Sequence, residues 1–151
     1  MEKITWKPSV DETPNEIFEK VFTIISAPGG KTSLKEARKC MSPFLKLYQS
    51  DILYPGRIFW TFGVSIVNKR RSRLGLELNV QELELIDDNS IYARAFLQNR
   101  DLSVNSEFNV LFRIKNNRVF EIRTKKSNYI PLFGDNFLHP LGILLLFKHI
   151  I

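Results

Sequence analysis

The sequence predicts an α+β fold: three N-terminal helices packed on one face of a strongly curved, mainly antiparallel sheet of four to six strands. Three features carry this. Apolar residues recur at helical spacing behind capping signals up to Gly75. Beyond Gly75 the apolar period shortens to two. The stretch Asp101 to Ser127 then reads as two long strands around a tight polar turn. Helices first and a meander of strands after is the order of an α+β domain.

Residues 1–12 read as an irregular lead-in. Thr13 can cap a helix, Pro14 suits its first position, and Glu16 completes a capping box. Ile17, Phe18, Val21, Phe22, Ile24 and Ile25 form a wide apolar stripe on that helix, and Pro28-Gly29-Gly30 ends it. Ser33-Leu34-Lys35-Glu36 repeats the capping box and opens a second helix with Leu34, Ala37, Cys40 and Met41 on its apolar side. Pro43 interrupts it, so Ser42-Pro43 is expected to start a further short turn carrying Phe44, Leu45, Leu47 and Tyr48. Ser50 to Tyr54 reads as a short extended crossing stopped by Pro55-Gly56.

The third helix is expected from Arg57 to Arg73, with Ile58, Phe59, Phe62, Ile66 and Val67 facing the core and Trp60 and Val64 flanking. Gly63 inside it is unfavourable by about 1 kcal/mol relative to Ala, which points to close packing there. After Gly75, Leu76, Leu78 and Val80 alternate, and the apolar phase then moves to Leu83 and Leu85. A bulge near Gln81-Glu82 accounts for that slip of one residue. Asp87-Asp88-Asn89-Ser90 turns the chain into a strand where Ile91, Ala93, Ala95 and Leu97 alternate with Tyr92, Arg94, Phe96 and Gln98.

In the hairpin, Val104, Ser106, Phe108, Val110, Phe112 and Ile114 share one face, and Asn105, Glu107, Asn109 and Arg113 the other. Lys115-Asn116-Asn117-Arg118 supplies the turn, because Asn tolerates left-handed backbone angles. On the returning strand Phe120, Ile122 and Thr124 are expected on one face and Val119, Glu121 and Arg123 on the other.

With 151 residues, 44% apolar and 25% charged, the chain fits one domain with a sizeable core. Glu2, Lys3 and Lys7 break up the start, which lacks the apolar core of a signal peptide. No run approaches the ~20 apolar residues of a membrane span. A single Cys40 forms no internal disulfide, and a cytoplasmic setting with Cys40 as an inert, buried thiol is the expectation. His139 and His149 make no metal-ligand spacing with it, so neither metal nor cofactor is expected.

The net charge of +6 favours an acidic partner, and its densest source is Lys69, Arg70, Arg71 and Arg73. Two readings apply. The cluster is a nuclear-targeting or phosphate-binding patch, or it is the cationic end of a helix that Gly75 terminates. No aromatic residues interleave with these charges, which argues against nucleic acid. Tyr48, Tyr54 and Trp60 are candidates for a pocket rim with Asp51 and Glu107 as polar groups; the alternative is core or interface packing.

The order of elements, with Asn105 to Ile114, a polar turn and Arg118-Val119-Phe120-Glu121-Ile122-Arg123, resembles the nuclear transport factor 2-like superfamily, which includes ketosteroid isomerases and SnoaL-type polyketide cyclases. Tyr54-Pro55-Gly56-Arg57 before the third helix adds to the likeness. It covers about Thr13 to Asp135, so residues 13–135 are expected to form the domain and 136–151 an apolar C-terminal tail. The resemblance implies a cystatin-like cone with a pocket between helices and sheet. Phe18, Phe22, Tyr48, Tyr54, Trp60, Phe62, Phe108, Val110 and Phe112 are its expected lining. It also implies a homodimer through the outer sheet face, at Tyr92, Arg94, Phe96, Leu111 and Arg123.

In the isomerases a phenol on the first helix and a protonated carboxylic acid on a strand hold the oxyanion, while a further carboxylate moves the proton. The matching positions here carry Val21 or Phe22, and Val110, none of which donates a hydrogen bond. Asp51 is the nearest candidate for the proton-moving group. The sequence therefore favours a non-catalytic binding or adaptor domain for a small apolar ligand or a protein partner. The alternative is a cyclase- or isomerase-like enzyme using Asp51 with Tyr48 or Tyr54. The tail contains Gly142 to Phe147, apolar and too short to span a bilayer. It is expected to dock on the body or, in the alternative, to touch a membrane surface or partner.

Overall fold

Two of the three α-helices described begin at a side-chain oxygen that accepts a free N–H of the first turn. In a computed structural model that describes residues 4–8, 15–49, 52–99 and 105–124, α1 runs from Glu16 to Ser26. Its cap is Asn15, whose Oδ1 accepts from Phe18 N at 3.0 Å, rather than the expected Thr13. Asn is as good a cap as Thr, and from Asn15 the apolar stripe is reached without a wasted turn. α2, Leu34–Lys39, has the predicted cap: Ser33 Oγ accepts from Glu36 N at 3.1 Å. α3, Arg57–Leu74, ends at Gly75, whose φ of 67° takes the left-handed cap conformation that glycine adopts without strain.

Strands β1 (Ile4–Trp6), β2 (Met41–Gln49), β3 (Ile52–Pro55), β4 (Glu77–Asp87), β5 (Ser90–Gln98), β6 (Asn105–Lys115) and β7 (Arg118–Thr124) make one seven-stranded sheet in the order β1-β4-β5-β6-β7-β2-β3. All neighbours are antiparallel except β2 with β7. The count exceeds the expected four to six for two reasons. The segment assigned to an irregular lead-in contributes β1, because Trp6 buries its indole to 4% exposure against Phe18 and Phe22, with ring centroids 6.2 and 5.4 Å away. The segment assigned to a turn after Ser42-Pro43 is strand β2. Pro43 stands where the β2–β7 register shifts between Met41 and Lys46, so its missing N–H leaves no ladder bond broken.

Bulges curve the sheet. The ladder slips between Val80 and Glu82, where the sequence placed it, and again between Leu85 and Asp87 and between Arg113 and Ile114. The last slip corrects the reading of β7. Phe120 is the extra residue, so Val119 and Ile122 both turn into the core, at 1% and 3% exposure. Asn116 and Asn117, at φ 53° and 62°, form the predicted turn.

The concave face carries a continuous row, Leu85–Ile91–Phe112–Ile122–Leu47–Tyr54, paired strand by strand. α1 lies against β4, β5 and β7, and α3 against β2. The buried face of α3 is turned in part from the predicted one: Val67 is buried and Phe59 and Ile66 pack at the core margin as expected, but Trp60 and Val64, expected to flank, are buried and Ile58 is 70% exposed. Spacing of four and then three residues aligns Trp60, Val64 and Val67 on one stripe, whereas Ile58 lies on the opposite side of the helix. Each large side chain fully removed from water contributes about 1.5–3 kcal/mol, so these faces rather than any single bond hold helices to sheet.

Candidate functional site

The side chains on the sheet face turned toward α1 and α3 follow from strand parity. In β6, Val110 and Phe112 point inward at 2% exposure each. In β2, Leu45 and Leu47 point inward, and across from Leu47 lies Tyr54, 3% exposed. Tyr54 stands 6.0 Å from Phe59, ring to ring, and burial raises its phenol above the ordinary 10.0, so it stays a neutral hydrogen-bond donor. α1 contributes Phe18 and Val21, both fully buried, and Phe22 at the margin of the core. α3 contributes Trp60, with Phe62 half-buried.

Six of the nine expected lining residues therefore have side chains in or at the edge of the core; Phe62, four residues after exposed Ile58, is half-buried outside it. Tyr48 is outside it too. It is one residue out of phase with Leu47, lies on the convex face, and carries Arg123 over its ring at 4.1 Å. The side chain of Phe108 and the whole of Asp51 lie outside the described residues, as do residues 136–151. Glu107 is also convex and holds Arg94, which places it away from any concave pocket.

The buried polar side chains among the described residues are Ser26, Ser90 and Glu121. Ser26, at the end of α1, is 1% exposed and its Oγ finds no hydrogen-bond partner. Sequence reading passed over it, although its position four after Phe22 and eight after Phe18 puts it on the apolar stripe. Glu121 belongs to the convex side. Its Oε2 takes Arg123 Nε at 2.9 Å and Arg113 Nε at 3.3 Å. Arg94 bridges Glu82 Oε1 at 3.4 Å and Glu107 Oε1 at 2.9 Å. Between these pairs lie Tyr92 and Leu111, and Phe96 stands opposite Glu107; all three are half-buried. The five residues expected at a dimer face thus share one surface.

The basic cluster separates. Arg71 is spent inside the protein: it donates to Pro28 O at 3.0 Å, Leu76 O at 2.8 Å and Asn68 Oδ1 at 2.6 Å, tying the end of α3 to the turn after α1. Lys69 and Arg73 are exposed, and the side chain of Arg70 lies outside the described residues. Half-buried Cys40 has its thiol raised by burial, against a lowering by Lys20, and donates to Glu36 O at 3.6 Å. Among the described residues, no group of three or more His, Cys, Asp or Glu is placed to hold a metal ion, and no helix is long and apolar enough to cross a membrane.

No family model and no curated protein matches the sequence. Solved structures do match in shape. A designed protein with a curved β-sheet aligns with a TM-score of 0.59 and 15% identity over 93% of this chain and 100% of its own. A candidate SnoaL-like polyketide cyclase from Jannaschia sp. CCS1 aligns with a TM-score of 0.56 and 17% identity over 78% and 90%. An NTF2-like protein of unknown function from Cytophaga hutchinsonii aligns with a TM-score of 0.55 and 10% identity over 82% and 99%. The chain has the nuclear transport factor 2-like fold. Its structural neighbours include proteins named as cyclases, isomerases and a hydroxylase, besides those of unknown function.

Proposed function

We propose that this domain is a non-catalytic binding module whose cone takes a small apolar molecule, and that it works as a homodimer through the convex sheet face. The observation that supports the binding reading is the hydrocarbon at Val21 and Val110, 0% and 2% exposed. Oxyanion stabilisation needs preorganised donors at such positions and is commonly the largest electrostatic contribution to this kind of chemistry. A valine supplies none, while it favours an apolar guest.

Trp6 and Trp60 are buried in the core, so their emission reports on its contents. Titration with a steroid, an aromatic polyketide and a fatty acid is expected to give saturable emission changes with at least one of them, and no turnover of it. Absence of binding across the panel, or turnover, sinks the reading.

One observation favours a second reading. Tyr54 places a neutral phenol on the concave row, where a cyclase- or isomerase-like enzyme could pair it with Asp51 as general base. That reading requires turnover that Asp51→Asn abolishes and Tyr54→Phe reduces.

A further inference from the structure

Two of the large apolar side chains most exposed among the described residues stand near one end of the molecule. Phe44 is 85% exposed and Ile58 70%. Phe44 sits where β2 has four residues between Met41 and Lys46 against the one between Val119 and Glu121, so the chain there loops away from the ladder. Its N–H is satisfied locally by Ser42 Oγ at 3.1 Å. Leu45, next along, is fully buried, and its carbonyl accepts Gly56 N–H at 2.7 Å. That bond brings the start of α3, and with it Ile58, to the base of the loop.

Cations from four elements meet there. Arg57 donates to Arg38 O at 3.4 Å and Arg38 to Thr61 Oγ1 at 3.3 Å, which joins α2 to α3. Lys39 follows on α2, and Cys40 O accepts Val119 N–H at 2.9 Å, which brings exposed Arg118 alongside. Lys46 is exposed one strand over from Glu121, itself held by Arg113 and Arg123. The described acid nearest in sequence is Glu36 on α2; Asp87 and Asp88 belong to the β4–β5 turn, on the far side of β6.

We propose that this end docks on an anionic phospholipid surface, with Phe44 and Ile58 entering the headgroup boundary and Arg38, Lys39, Lys46, Arg57 and Arg118 facing the lipid charge. Separate protruding apolar side chains within a basic surround match a soft, anionic, water-poor surface. A single-stranded nucleic acid would stack on Phe44 but gain nothing from Ile58, and a folded partner would call for a flat or grooved patch. The proposal is independent of what the cone binds.

The test is sedimentation of the full chain with phosphatidylcholine vesicles, with and without phosphatidylserine. Binding is expected only with phosphatidylserine, and it should weaken as salt rises. Phe44→Ser with Ile58→Ser should lower the partition coefficient about tenfold or more, and Lys39→Glu with Lys46→Glu should abolish binding. Both pairs are exposed, so unchanged melting curves would establish that the fold is intact. Failure of the wild type to bind phosphatidylserine vesicles overturns the proposal. So does unchanged binding by the folded Phe44/Ile58 variant, which would assign the contact to another part of the chain. Loss of single-stranded RNA or protein binding in that variant without vesicle binding by the wild type would likewise overturn it.

Discussion

At the scale of single residues, two buried polar side chains do opposite things. Tyr54 keeps its proton because the phenolate would lose its hydration on the concave face, which raises its titration above the ordinary 10.0. The folded pKa therefore exceeds the unfolded one, and the contribution to stability is intact below pH 10 and lost as pH rises through the folded value. Tyr92 shifts the same way, by burial and then by Glu107. Denaturation midpoints are expected to fall above about pH 10, and Tyr54→Phe should flatten part of that fall; an unaltered slope would show that Tyr54 titrates freely. Glu121 is buried, with its side chain 7% exposed, and draws two half-exposed arginines across the convex face. Replacing it by Gln keeps the shape and removes the charge both guanidinium groups share. The expected cost is about 1–2 kcal/mol, lower than for a fully buried pair because water screens the arginines. Urea unfolding measures it, and no change in midpoint would mean that solvent satisfies the arginines equally well.

At the scale of elements, legibility depended on whether a segment's neighbours in sequence were also its neighbours in space. The cap at Ser33, the Asn116-Asn117 turn and the bulge near Gln81-Glu82 are local events, and sequence alone placed them. The face of β7 and part of that of α3 were misread because tertiary packing decides them: Phe120 is expelled as a bulge when Val119 and Ile122 both find core, and Ile58 gives way to Trp60. Strand β2 was hidden by Pro43, which marks a helix stop but says nothing against a bulged strand. Another element-level constraint left little trace in sequence. Gly29, in the 3-10 turn Ala27–Gly29 after α1, comes so close to β4 that an added Cβ would lie 2.9 Å from Leu78 Cβ. Backbone or strand must move to admit it, so Gly29→Ala is expected to destabilise by about 1–3 kcal/mol, the range for overpacking. A thermal midpoint equal to wild type would show that the turn can lift off the sheet.

At the scale of the whole molecule, the cone was legible because a run of helices followed by long alternating strands admits few packings, whereas its contents were not. Which of Tyr48 and Leu47 looks inward depends on the β2–β7 register, and no local signal gives that register. The same register builds the convex row Glu84–Tyr92–Leu111–Arg123–Tyr48–Leu53. Its charge is uneven: Glu82 and Glu84 stand on β4, and Arg123 and Lys46 on β7 and β2, with Leu111 between them on β6. In the proposed dimer, a two-fold axis in the plane of the interface, running along β6 past Leu111, would set Tyr92 of one copy against Arg123 of the other and the acidic side against the basic one. An apolar centre inside such a charged frame is how association surfaces concentrate their energy. Leu111→Glu puts a carboxylate at that centre, so the proposed dimer is expected to dissociate to the 17.6 kDa chain in sedimentation velocity. Because Leu111 is half-exposed, the monomer should keep its melting temperature. A wild type that sediments as a monomer, or a variant that remains dimeric, would mean that the convex charges pair only within one chain.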